Sequence, residues 1–235
     1  MVIDVKSALE TGEMTIQGRL VDASNATLLA KVDDGGDGIS CIYKPISGER
    51  PLWDFPHGTL AYREYAAYLI SSHAHFDVVP FTLLRSGPYG EGAVQQWIDI
   101  DESIDLFELF KMDLPELRMM ALFDAVINNT DRKIGHLLPT EDGRIMGCDH
   151  GVTFHSDDKL RTVLWQWAGE KLKLQEISIL SNLQALLSGD LGARLDELLT
   201  QGELRELRRR IATLLDTGVF PLPNPEWPAV PWPPF

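Results

Sequence analysis

The chain has 235 residues, 44% of them hydrophobic, and a formal net charge of -14. That length and apolar content exclude a disordered or fibrous protein and suit one large domain or two small lobes with a real core. The negative field argues against a nucleic-acid partner and against stable membrane association unless a local basic patch compensates, and no apolar run reaches spanning length.

The start, MVIDVKSALETGEMT, carries acids and lacks the apolar core of a secretion signal, so a cytoplasmic protein is expected. MTIQGRLVDA (14–23) alternates like a half-buried strand, TLLAKVDD follows it, DDGGDG (33–38) is a hairpin turn by composition, and GISCIYKP (38–45) is a third strand. GTLAYREYAAYLISSHA (58–74) has helix-forming content, with Thr59 placed to cap it. DVVPFTLLR (77–85) and AVQQWIDI (93–100) read as strands around a GPYGEG turn, which makes residues 1–98 a small sheet with a single helix.

The pattern then changes to helical spacing in LPELRMMALFDAVINN (114–129), with a proline near its start. HLLPT and RIMGCDHG form a short hairpin around an EDG turn. Helices are expected over VLWQWAGEKL, over ISILSNLQALLSGDLGARLDELLT, and over GELRELRRRIATLLDTG, whose RELRRR run reads as a solvated face. Residues 99–218 thus form a mainly helical second lobe. The Pro- and Trp-rich segment 219–235 is expected to run extended over the surface or to dock by its tryptophans. Cys41 and Cys148 are too few for a disulfide scaffold and read as buried thiols.

Chemistry-bearing residues fall in a fixed order. Lys44 ends the third strand, and Glu64 lies twenty positions on in the helix. Asp131 follows in NNTDRKIGH, with His136 five positions later and Asp149 of D-H-G eighteen beyond Asp131. Phosphoryl transfer from ATP needs such parts: a strand lysine on the phosphates, a glutamate to hold it, an aspartate for the acceptor's proton, and metal-holding residues after it. The kinase signature is a strand lysine, then H-R-D-x-x-x-x-N, then D-F-G. Each residue alone has an ordinary structural explanation. All four in order, on the right kinds of element, do not.

These motifs resemble the protein-kinase-like superfamily, in particular the branch of phosphatidylinositol 3/4-kinases and HipA-type kinases, whose catalytic loop reads N-x-D-R-x-x-x-N. YKPISGERPLWDFPHGTLAYRE, VQQWID, DRKIGH, CDHGVTFH and KLRTVLWQW are together similar to a bacterial phosphatidylinositol 3/4-kinase-like family. The resemblance implies an α+β, two-lobed kinase-like fold that binds ATP with Mg²⁺ or Mn²⁺. Asp131 would be the catalytic base, Lys44 would touch the phosphates, Glu64 would brace it, and His136 and Asp149 would hold metal. Gln95, Gln96, Trp97 and Ile98 lie at the expected connection between lobes, where their backbone would meet the adenine.

Two departures stand out. No glycine-rich loop precedes Lys44, and its place is taken by D-A-S-N-A-T (22–27), where Ser24 and Asn25 are expected to form a tight turn offering backbone amides. His136 replaces the expected asparagine, and its softer imidazole favours Mn²⁺ relative to ordinary kinases. The acceptor is expected to be a protein or a small molecule rather than a phosphoinositide, since a chain of this charge suits an anionic lipid surface poorly. The alternatives are a nucleotide-binding scaffold without turnover, or transfer of AMP from the same site. His150 is read as a packing or hinge residue, and the WQW of residues 165–167 as core.

Overall fold

Alternating strands that each bury one face assemble here into a single antiparallel sheet. The computed structural model describes residues 4–20 and 25–235. The helix α1 (Val5–Thr11) is followed by β1 (Met14–Arg19), β2 (Leu28–Val32), β3 (Ile39–Pro45), α2 (Leu60–His73), β4 (Thr82–Gly87) and β5 (Gly90–Gln96). The strand order is β1-β2-β3-β5-β4, antiparallel throughout. Ala30, Val32, Cys41, Tyr43 and Val94 pack with Leu9 of α1 on one face. Side chains alternate across a strand, so Lys44 falls on the other face, toward α2. The neighbouring strand passes close at this point: a Cβ on Gly92 would lie 2.4 Å from the Lys44 carbonyl oxygen.

The remainder is mainly helical: α3 (Leu106–Leu109), α4 (Pro115–Ile127), the hairpin β6 (Leu137–Pro139) and β7 (Ile145–Gly147), then α5 (Leu174–Leu186), α6 (Asp190–Asp196) and α7 (Gln201–Thr217). Its core joins Leu117 and Phe123 of α4 to Leu180, Leu204 and Ile211, and it also takes in Ala66, Leu69 and Ile70 of α2. This is the two-lobed α+β architecture expected from the sequence, an antiparallel sheet with helices followed by a mainly helical part. Helix α2 lies between the sheet and the second core. Its adjacent residues Arg63 and Glu64 point to different sides: Arg63 donates to Glu203 of α7 at 2.6 Å and to the Thr153 carbonyl at 2.8 Å, while Glu64 meets Lys44.

Several expectations need correction. The start of the chain adds α1, so α2 is not the first half's single helix. Residues 77–81 are not strand, because the Ser71 hydroxyl oxygen accepts the N–H groups of Val78 and Val79, and β4 starts at Thr82. Residues 163–172 are turns rather than helix. The Thr162 hydroxyl takes the Leu164 N–H, the Trp165 and Trp167 indoles are anchored on Ala229 and Asp113, and Gly169 adopts a positive φ of 77°. The helix expected across 177–200 breaks at Gly189, giving α5 and α6. Thr59 occupies the cap position of α2 without capping it, and the Glu49 carboxylate instead accepts from Leu60 N–H at 3.1 Å and Ala61 N–H at 2.8 Å. Segment 219–235 docks by one tryptophan, as expected, and by backbone carbonyls as well: Trp227 lies against Lys159, Ala229 accepts from Thr162 N–H and the Trp165 indole, and Pro234 from Ile134 N–H, while Trp232 stays exposed. Among the described residues no helix is long and apolar enough to cross a membrane.

Arg63 is 1% exposed. Replacing it with alanine strands Glu203 inside the protein, and removing one partner of a buried pair costs about 3–5 kcal/mol. The Arg63→Ala urea midpoint is expected to fall accordingly at unchanged slope, and a loss below about 1 kcal/mol would show that the pair is not a buried link of this kind.

Candidate active site

Helix α4 ends where Asn128 turns left-handed, at φ 51°. Its side chain then reaches across to the segment after β7, donating to the carbonyls of His155 and Asp157 and accepting from Lys159 N–H at 3.1 Å. Asn129 donates to Asp124 at 2.9 Å and accepts the Asp131 N–H at 3.0 Å. Arg132 grips the same Asp124 carboxylate through Nε and Nη2, and neither side chain reaches solvent. Arg132 also donates to the Cys148 carbonyl at 3.1 Å, and its Nη2 lies 2.8 Å from His150 Nε2. The residues flanking Asp131 are therefore spent on holding the loop. Asp131 itself is left facing a cavity, with Lys133 Nζ 3.5 Å from its carboxylate.

Asp149 has φ 61°, a left-handed conformation uncommon outside glycine. Its Oδ1 accepts from Lys44 at 3.0 Å, and its Oδ2 lies 3.6 Å from His136 Nε2. Lys44 also donates to Glu64, whose second oxygen accepts the His150 N–H at 3.0 Å. Burial opposes the Lys44 charge, but Asp149 and Glu64 together outweigh it, so its pKa is raised and it stays an ammonium. Lys44 in turn, with help from His136, holds Asp149 well below the usual carboxylate range. Burial raises Glu64 against the pull of Lys44, and it raises Asp131 against Lys133. Burial, with Arg132, Lys133 and Lys44 nearby, depresses His136 to about 4, leaving a neutral imidazole.

A cavity of about 390 Å³ opens beside this cluster. Lys44, Glu64, Asp131, Asp149 and Asn25 all line it, and His136 stands behind Asp149. Ser24 lies outside the described residues. Gln95, Gln96, Trp97 and Ile98 do not line this cavity. The Gln95 amide donates to the Thr82 hydroxyl, and the N–H groups of Gln96 and Trp97 are used by the Phe81 and Ser40 carbonyls. These residues do sit where the chain leaves the sheet, since Asp101 N–H is already bonded to Pro139 of the β6–β7 hairpin. The Asn25 side chain accepts the Arg50 N–H at 2.8 Å. Among the described residues no three His, Cys, Asp or Glu side chains converge into a metal cage. His136 with Asp149 is a two-donor set, which fits a divalent cation that completes its shell with phosphate oxygens and water.

Sequence reasoning missed Asp124, Arg132 and Lys133 as parts of the site. An acid within the apolar run MMALFDAVI of α4, eight positions before an arginine, was the available signal for the first pair. It also missed the wall formed by Trp53 and Asp54 with Lys159 and Trp227, three stretches far apart in sequence.

No family model matches the chain. Protein Rv2133c of Mycobacterium tuberculosis is 41% identical over 267 residues, covering 99% of this chain and 96% of that protein. The chain belongs to the Rv2133c family. The crystal structure of the Helicobacter pylori proinflammatory kinase CtkA is similar with a TM-score of 0.48 at 12% identity, over 89% of this chain and 93% of that one, a likeness too slight to carry residue roles across.

In this member of the Rv2133c family, thiol chemistry is disfavoured at both cysteines, including Cys148 next to Asp149 in the chain. Burial and the neighbouring Asp149 push the Cys148 thiol up to about 11, and burial does the same for Cys41. Folded protein at pH 8 is expected to react with iodoacetamide at least about tenfold more slowly than denatured protein. The same raised values mean that the unfolded chain releases these protons near pH 9 while the fold retains them, so stability falls from pH 9 toward 11. Rapid modification of Cys148 at pH 8 in folded protein would contradict this.

Proposed function

We propose that the protein is an ATP-dependent phosphotransferase of the kinase-like type, acting on the hydroxyl of a small-molecule or protein acceptor. The observation that carries this reading is the convergence of Lys44, Glu64, Asp149 and Asp131, drawn from three distant stretches of chain, on one cavity. The finer kinship, with phosphatidylinositol 3/4-kinases and HipA-type kinases, is supported by NNTDRKIGH and D-H-G. The net charge of -14 speaks against a lipid acceptor, a nucleic-acid partner and stable membrane association.

On this reading Lys44, kept protonated and braced by Glu64, orients the phosphates of ATP. Asp149 and His136 would hold a Mg²⁺ or Mn²⁺ ion, which neutralises phosphate charge when bound. The acceptor oxygen attacks the γ-phosphorus while its proton passes to the Asp131 carboxylate. The bond from the γ-phosphorus to the β,γ-bridging oxygen breaks, and ADP leaves. Burial raises the affinity of Asp131 for that proton, and Lys133 keeps the carboxylate from rising too far to be ionised before the step.

Incubating the protein with ATP, metal and a panel of soluble acceptors, then separating nucleotides, tests the reading. ADP and phosphorylated acceptor are expected, faster with Mn²⁺ than with Mg²⁺ at matched occupancy. Asp131→Asn should lose roughly 100-fold or more in turnover while ATP affinity is kept. AMP-bearing acceptor with pyrophosphate would mean adenylyl transfer, and nucleotide binding with no product would mean a scaffold.

A further inference from the structure

The same cavity has further walls. They come from the loop after β3, from Lys159 and Arg161, and from Trp227. Lys159, 4% exposed, ties these pieces together: Nζ pairs with Asp54 at 2.9 Å and lies over the rings of Trp53 at 4.8 Å and Trp227 at 4.5 Å. The charges there are unevenly spent. Asp54 is neutralised by Lys159, and Glu49 is committed to the start of α2. Two guanidiniums on the lining, Arg50 and Arg161, form no ion pair among the described residues.

Arg161 is firmly placed. Its N–H donates to the Asn129 carbonyl at 2.9 Å, its carbonyl accepts from Arg132 N–H at 3.1 Å, and its Nε donates to the Thr130 carbonyl at 2.7 Å. These bonds run to the residues on either side of Asp131. They leave both terminal nitrogens of Arg161 without a protein partner among the described residues, on the lining of the cavity that Asp131 also faces. A fixed guanidinium with two free donors suits a phosphate or carboxylate held in bidentate fashion. Arg161 acts on the Asp131 carboxylate through its charge, but no carboxylate among the described residues lies within ion-pair distance of it, and a neutral acceptor does not require such a cation.

We propose that Arg161 and Arg50, backed by Trp53 and Trp227, form the acceptor subsite, and that the acceptor is a small hydroxyl compound carrying a phosphate or carboxylate group. This rests on the phosphotransferase reading. The anionic group docks on Arg161, which brings a hydroxyl a few bonds away to Asp131. A cavity of about 390 Å³ shared with a polyphosphate suits an acceptor of that size.

The test is calorimetry on the full chain with glycerol 3-phosphate, glycerate and glycerol as probes, and separately with ATP and metal, for the wild type and Arg161→Gln. One or both anionic probes are expected to bind the wild type, with glycerol silent, and the pair distinguishes phosphate from carboxylate recognition. Losing a charge-assisted bidentate contact should weaken the anionic probe by about 10-fold or more in Arg161→Gln. ATP affinity should stay within about threefold, which also shows the variant to be folded. The proposal is overturned if neither anionic probe binds at millimolar concentration. It is equally overturned if the substitution leaves their affinity unchanged, or if it weakens ATP as much as the probe, which would assign the guanidinium to the nucleotide. Failure of the wild type to bind ATP would sink the phosphotransferase reading instead, with the anion subsite still decided by the probes.

Discussion

A guanidinium with no access to solvent organises the second lobe. Arg132 and Asp124 are both fully buried, and an ion pair taken that far from water is sustained only if its remaining donors and acceptors are also satisfied. Here they are: Asp124 accepts from Arg132, Asn129 and Thr162, and Arg132 reaches on to the Cys148 carbonyl and His150. One network therefore joins helix α4, the loop carrying Asp131 and the strand end carrying Asp149. Displacing any one of them would leave buried charge without a partner, so the spacing between the two aspartates is set by a cost rather than by loop preference.

Helix α2 plays the corresponding part between the lobes. Glu64 reaches toward the sheet and Arg63 toward α7, so Lys44 is braced from an element that is itself packed into the helical core. His150 links the two systems, since its backbone N–H donates to Glu64 while its ring lies against Arg132. Accepting from Arg132 places the ring proton on Nδ1, which has no partner among the described residues, and burial together with Arg132 keeps the imidazole neutral. Positioning supplies much of the rate in phosphoryl transfer, and a buried, hydrogen-bonded frame of this kind is what the proposed reaction would require.

The parts of the site readable in the sequence were those tied to element ends and short spacings. Lys44 follows the alternation of β3, Glu64 sits on a strongly helical stretch, and Asp131 and Asp149 flank a hairpin that its turn residues announce. The unreadable parts depend on contacts between distant segments. Residues 163–172 carry a helical pattern, but anchoring of the Trp165 and Trp167 indoles on Ala229 and Asp113 overrides it. The docking of Pro234 on Ile134 and the meeting of Asp54 with Lys159 have no local signature at all.

The central claim is that Lys44, Glu64 and Asp149 form a site for metal and the phosphates of ATP. Calorimetric titration of ATP, with Mg²⁺ and then Mn²⁺, into wild type and Asp149→Ala tests it most directly. The account predicts metal-dependent binding to the wild type that is lost in the variant. Well-folded wild-type protein that binds ATP with neither metal, or a variant that binds as tightly as the wild type, would contradict it.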